Sequence, residues 1–163
     1  MRHLASMPML LLVAACGLQP MYVGGGDGAV AAGLSGVTVP PIAGEAGWMM
    51  RDALLERLGT GADAGAAYRL DVRLDDSLEG LGLLSDDTIG RERRTLRARY
   101  RLVDTQTGEV LVEATSGADA GIDVVSSEFA TVAAERTALQ NLTREVADRI
   151  VTTLALNLRN RQQ

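Results

Sequence analysis

The chain contains no lysine: all sixteen of its basic residues are arginine. It has one histidine, His3, and one cysteine, Cys16, both near the start, and aromatic residues are scarce. If the first fifteen residues are removed, the remaining chain has no histidine, and its only thiol stands at its first position. That excludes Ser-His-Asp and Cys-His catalysis and the usual nitrogen and sulfur ligands of zinc. Ser-Lys chemistry falls with the missing lysine, which leaves only carboxylates as catalytic candidates. Heavy use of alanine and glycine beside an arginine-only basic set fits a GC-rich coding sequence. Fifteen arginines then face twenty-one acids in residues 16–163, a balance opposite to that of a nucleic-acid binder.

What is present begins at the N-terminus. Arg2 and His3 give a positive start, Leu4 to Ala15 are almost wholly apolar, and Val13-Ala14-Ala15-Cys16-Gly17 closes the run. This is the layout of a secretory signal peptide, and it is too short to cross a bilayer, which needs roughly 20 apolar residues. Small side chains at Ala14 and Ala15 fit a peptidase groove, and a thiol at the next position can carry a diacylglyceryl group. The stretch resembles the lipobox of a bacterial lipoprotein, with Cys16 as the lipidated residue. The plainer reading is an ordinary signal peptide with a cysteine at its border.

Residues 16–36 read as a lipidated start and a flexible tether, because Gly24-Gly25-Gly26, Gly28, Gly33 and Gly36 leave little to pack. Val37-Thr38-Val39 predicts a short strand ended by Pro40-Pro41. A helix is expected from about Glu45 to Leu58, burying Met50, Leu54, Leu55 and Leu58, with Trp48 at its margin. Tyr68, Leu70, Val72 and Leu74 alternate with Arg69, Asp71, Arg73 and Asp75, the pattern of a half-buried strand. Asp76 to Gly90 reads as a loop or irregular hairpin. Leu96, Ala98, Tyr100 and Leu102 point inward on the next strand, which turns at Asp104 to Gly108 and returns through Val110, Val112 and Ala114. Thr115 to Asp123 reads as a polar connection.

Ser126 or Ser127 can cap a last helix of about 30 residues, near 45 Å long. Its buried stripe is Val132, Leu139, Leu142, Val146, Ile150 and Leu154. Such a helix exceeds a strand of about 8 residues, near 27 Å, so its C-terminal end, with Leu156, Leu158 and Arg159 to Gln163, is expected to overhang the sheet. The expected architecture is α/β, in detail an α+β two-layer sandwich. It has about four mainly antiparallel strands, two helices on one face, and the order β-α-β-β-β-α. Residues 1–15 form the signal peptide, 16–36 the tether and 37–163 the domain.

Three stretches then resemble the LptE family of lipopolysaccharide-assembly lipoproteins, in its alphaproteobacterial form. Cys16-Gly17-Leu18-Gln19-Pro20-Met21-Tyr22 is similar to the family's lipidated start, with leucine and methionine replacing its phenylalanine and leucine. Tyr100 to Asp104 with Thr107 to Leu111 resembles its central hairpin. Phe129 to Glu135 with Ala138, Ala147 to Ile150 and Leu154 to Leu156 resembles its C-terminal helix. The resemblance implies a non-enzymatic protein in the inner leaflet of the outer membrane. There it would plug the β-barrel LptD, support that barrel's assembly and contact the lipopolysaccharide being exported. Gly17 is compatible with this, since the inner-membrane retention signal of enterobacterial lipoproteins is an aspartate at that position.

The sharpest candidate for ligand contact is the row Arg97, Arg99 and Arg101, with Arg91, Arg93 and Arg94 leading into it. Alternate strand residues share a face about 6.6–6.8 Å apart, and guanidinium groups in line can bind phosphates bidentately. The competing reading is that Asp71 and Asp75 on the neighbouring strand occupy them in cross-strand ion pairs. Asp75-Asp76 and Asp86-Asp87 lack the spacing of a calcium loop. No catalytic residue, metal or cofactor is expected. Two further classes stay open: a lipoprotein adaptor for a cell-wall synthase or ABC transporter, and an Asp/Glu hydrolase, which needs two carboxylates converging in a cleft.

Overall fold

The computed structural model describes residues 29–59, 66–83 and 89–161. The expected signal peptide, Cys16, most of the tether, and Asp86-Asp87 lie outside these residues. The elements run α1 (Ala29–Ser35), β1 (Val37–Thr38), α2 (Gly44–Leu58), β2 (Tyr68–Leu83), β3 (Ile89–Asp104), β4 (Val110–Asp123) and α3 (Glu128–Arg161). One four-stranded sheet has the order β1-β2-β3-β4; β1 pairs with β2 in parallel, and the other pairs are antiparallel. The helices pack on it as the second layer, the α+β sandwich expected.

Alternation builds the core. Leu70, Leu96, Ala98, Tyr100, Leu102 and Val112 are buried beneath Met50, Leu54 and Leu58 of α2 and Leu142, Val146, Ile150 and Leu154 of α3. In α2 the buried set is Gly47, Met49, Met50, Ala53, Leu54 and Leu58, while Leu55 is half-buried and Trp48 stands 63% exposed. Arg57 clamps the two helices, donating to the carboxylate of Asp148 on α3, and that hydrogen bond raises the guanidinium pKa.

Four expectations need correction. Residues 29–35 of the expected tether form α1; its Leu34 is 3% exposed, and packing in the core with Leu158 offsets the weakness of so short a helix. Of Asp76 to Gly90, expected as a loop or irregular hairpin, the described residues are regular strand, the hairpin alternative and not the loop: β2 runs on to Leu83 and β3 starts at Ile89, in register from Tyr68↔Asp104 to Leu83↔Ile89. Thr115 to Asp123 continues β4 rather than connecting elements. The overhang then disappears: strands of 16 residues span about 53 Å, and the 34-residue α3 about 51 Å. Leu158 is buried, and Arg161 reaches Glu109 at 3.6 Å.

The thinly covered end is the opposite one. Residues 128–137, the start of α3, contain no buried side chain; Phe129 is 92% and Val132 55% exposed, so Val132 is not part of the core stripe. Leu78 on β2 is exposed there as well.

The turn between β3 and β4 forms as its residues require. The Asp104 carboxylate accepts from the backbone N–H of Gln106 at 2.8 Å and Thr107 at 2.9 Å, and Gly108 takes φ 73°. The Thr107 and Gln106 donors hold the Asp104 carboxyl below its ordinary pKa.

Candidate functional site on the open face of the sheet

Helices cover one face of the sheet, so the other carries every outward side chain of β2, β3 and β4. Even-numbered residues of β3 face the helices (Leu96, Ala98, Tyr100, Leu102), and from Arg91 to Arg101 the odd-numbered ones lie on the other face; past the irregularity at Leu102/Val103, Val103 is buried. Arg91, Arg93, Arg97, Arg99 and Arg101 therefore share the open face. Arg94 does not belong with them: it points to the helix side. There it donates to both oxygens of Asp76, at 2.9 and 2.7 Å, and to the Glu135 carbonyl of α3 at 3.1 Å. The hydrogen bonds it donates to Asp76 raise the Arg94 pKa. Arg94 is thus a structural tie between β2, β3 and α3.

Register decides what each open-face arginine meets. Arg101 lies between Asp71 and Glu113, Arg99 between Arg73 and Thr115, Arg97 between Asp75 and Gly117, and Arg93 between Glu79 and Gly121. The expected neighbours Asp71 and Asp75 are therefore in place. Their carboxylates do not occupy the row, however. Asp71 is taken by Arg69, two residues along its own strand, in a bidentate contact of 2.9 and 3.2 Å that raises the Arg69 pKa. Arg91 pairs with Asp123 at 3.0 Å. Among the described residues, Arg73, Arg93, Arg97, Arg99 and Arg101 make no ion pair.

The structure adds Arg73 to the row. It was visible as an outward residue of β2, but only the register sets it opposite Arg99. Two like charges directly opposed on adjacent strands are unfavourable, and an anion between them relieves that. A depression of about 410 Å³ opens at this point, lined by Asp71, Arg73, Arg99, Arg101, Glu113 and Thr115. Its floor is sheet backbone and its walls are exposed polar side chains. No metal-binding group of three or more His, Cys, Asp or Glu occurs among the described residues, and none of their helices is long and apolar enough to cross a membrane.

The two-layer α+β fold recurs in solved bacterial lipoproteins. An inferred lipoprotein from Caulobacter crescentus CB15 superposes with a TM-score of 0.67 at 23% identity, over 82% of this chain and 98% of that one. Rare lipoprotein B of Shewanella oneidensis gives 0.56 at 13% identity, over 78% and 97%. A minor lipoprotein of Acinetobacter baumannii gives 0.56 at 13%, over 74% and 89%. Identities this low establish the fold. No curated protein matches the sequence.

The family follows from the sequence itself. Residues 34–154 match the model of the lipopolysaccharide-assembly family LptE, and the chain belongs to that family. The matched span includes the hairpin and most of α3, which carried two of the three resemblances; the third, Cys16 to Tyr22, precedes it. Membership implies a structural lipoprotein with a role in lipopolysaccharide assembly.

Proposed function

We propose that this protein is an outer-membrane lipoprotein, anchored through a lipid on Cys16, that plugs an LptD-type β-barrel and assists insertion of lipopolysaccharide. The family match over 34–154 carries this reading. The motifs of the C-terminal helix favour the alphaproteobacterial form of the family. Residues 16–28 and α1 lead from the anchor to a domain only four strands wide, roughly 19 Å at the usual strand spacing. A long, narrow body suits the lumen of a large barrel. Arg97, Arg99 and Arg101, joined by Arg73, bind the phosphate groups of the glycolipid on the open face. Their lack of ion-pair partners among the described residues leaves the guanidinium forks available for bidentate contact.

Isolation of the lipidated protein from outer membranes, with mass spectrometry of what accompanies it, tests the assignment. One large β-barrel in near one-to-one ratio is expected. A cell-wall synthase or an ABC transporter in its place would make the protein an adaptor instead. Binding of lipid A to the triple variant Arg97→Gln, Arg99→Gln, Arg101→Gln is expected to fall about tenfold or more, since charge-assisted contacts contribute ~1.5–3 kcal/mol each. Dephosphorylated lipid A should distinguish the two proteins poorly. Unchanged affinity for the phosphorylated form would remove the arginine row from the mechanism.

A further inference from the structure

The edge strand β4 and the helix α3 leave a groove between them. It has a volume of about 590 Å³, and Ala120, Ile122, Ala134, Thr137, Ala138 and Leu142 form much of its lining. Most of these side chains are small, so the groove is wide enough for the side chains of another chain. Its position beside an open sheet edge gives it a backbone ladder as well.

The ladder can be read from the register. Val124 donates its N–H to Gly90 of β3 at 3.1 Å, so the even-numbered residues of β4 exchange hydrogen bonds with β3. Asp119, Gly121 and Asp123 then direct their N–H and C=O groups away from the sheet. No hydrogen bond from elsewhere among the described residues reaches these groups. Gly117, in the same phase, is different: Arg149 of α3 reaches across and donates to its carbonyl. Arg149 thereby closes one end of the ladder and marks the free length, from Ala118 to Asp123, about 20 Å. Unpaired edges of this kind are usually blunted by proline, by charged side chains, most often lysine, or by bulges, and here the charges are acidic only. Residues 110–123 hold no proline and no basic residue, and the one register irregularity of this pair is at Leu102/Val103, far from the free stretch.

Charge selects the occupant. Three acids, Asp119, Asp123 and Glu145, line the groove, with no basic residue among its lining. Asp123 and Glu145 have partners in Arg91 and Arg149. Asp119 has no ion-pair partner among the described residues, and it stands at the end of the free ladder nearest Gly117. We propose that this edge takes an extended segment of a partner protein by strand addition. The segment alternates apolar and basic residues: the apolar ones enter the groove over Ala120, Ala134 and Ala138, and a basic one lies beside Asp119 on the open face. Main-chain hydrogen bonds supply affinity, and the two faces supply selection. The groove itself, on the helix side of β4, has no arginine in its lining, while on the open face Asp119 shares a depression with Arg97; the proposal does not rest on the function proposed above.

The test uses the full chain in detergent micelles and a blocked hexapeptide alternating valine and arginine, with a hexapeptide of the same composition in two blocks as control. The alternating peptide is expected to bind more tightly than the control. It should slow amide hydrogen exchange at Asp119, Gly121 and Asp123 about tenfold or more, because their N–H groups become hydrogen-bonded. Asp119→Lys should weaken that peptide up to about fivefold, the range of one exposed ion pair, and improve a valine–glutamate peptide. Ala134→Trp, which fills the groove, should weaken both peptides while circular dichroism stays unchanged. Equal binding of the alternating and block peptides, or binding without protection of these three amides, overturns the proposal. Protection of the same amides without peptide, rising with protein concentration in step with a dimer in sedimentation, assigns the edge to a second copy. Protection by lipid A alone assigns it to glycolipid; either result also overturns it.

Discussion

Gly47 sets two physical arguments against each other, and Gly47→Ala decides between them. It lies in the first turns of α2, where intrinsic helix propensity favours alanine over glycine by up to about 1 kcal/mol. Geometry opposes this. The segment Pro40 to Ala43 doubles back over the helix, with Val39 buried in the core and its carbonyl accepting from Arg51 Nε at 3.0 Å. A Cβ on Gly47 would meet the Ile42 carbonyl oxygen at 2.5 Å, its carbonyl carbon at 2.7 Å and its Cγ2 at 2.9 Å. Two of those atoms are backbone, so no rotamer change relieves the overlap; the segment must move, and it is held at Val39. Overpacking typically costs about 1–3 kcal/mol, and a backbone clash belongs at the upper end. The net expectation is a loss of about 2 kcal/mol, a fall in Tm of about 6 °C for a chain of this size. Urea unfolding followed by circular dichroism measures it as a lower midpoint with an unchanged slope. Gly121→Ala is the control: no atom lies within 4 Å of its added Cβ, so it should be neutral or slightly stabilising. A Gly47→Ala protein as stable as the parent would refute the steric reasoning and leave propensity as the governing term.

Ile150 and Leu154 are fully buried beneath α2 and the sheet, and truncating either to alanine should cost about 2–5 kcal/mol in the same assay. The Arg94–Asp76 pair should show a coupling of about 1–3 kcal/mol in a double-mutant cycle using Arg94→Met and Asp76→Leu, well above that of an exposed pair such as Arg91–Asp123. Asp104 is held below its ordinary pKa in the folded chain, so it stabilises above the unfolded value of ~3.9. That contribution is lost as pH falls through the lower folded value. Urea midpoints of the parent and Asp104→Asn should therefore converge on acidification below about pH 4 and differ above it.

Much of the fold was legible because each local signal agreed with its neighbours. The helix expected from Glu45 to Leu58 forms from Gly44 to Leu58, and the alternation around Leu96 to Leu102 placed the hairpin and its inward face. Where the reading failed, composition hid the geometry. Gly80 and Gly82, with acids at Asp75, Asp76 and Glu79, look like a loop. Asp75 to Gly80 pair nonetheless, because β3 supplies a continuous partner strand from Glu92 to Arg97. The glycines and alanines of β4 look like a linker for the same reason. Residues 29–35 lack a helical stripe of their own, and contact with α3 and α2 orders them. The site divides likewise. The arginine row follows from period two alone, whereas the separation of Arg94 from it, the addition of Arg73 and the capture of Asp71 by Arg69 depend on pairing partners.

The matched lengths of α3 and the strands have a consequence for how the molecule comes apart. Its interior is a strip, well filled where α1, α2 and the C-terminal half of α3 converge, and sparse toward Phe129 and Leu78. Such a body is not equally firm along its axis. The start of α3 before the Arg94 tie at Glu135, with the far ends of β2 and β3, can open while the rest stays closed, since no buried side chain of that stretch holds it down. Amide exchange should slow steadily from Glu128 toward Leu154. One end of the domain is a fixed base, and the other is a compliant tip.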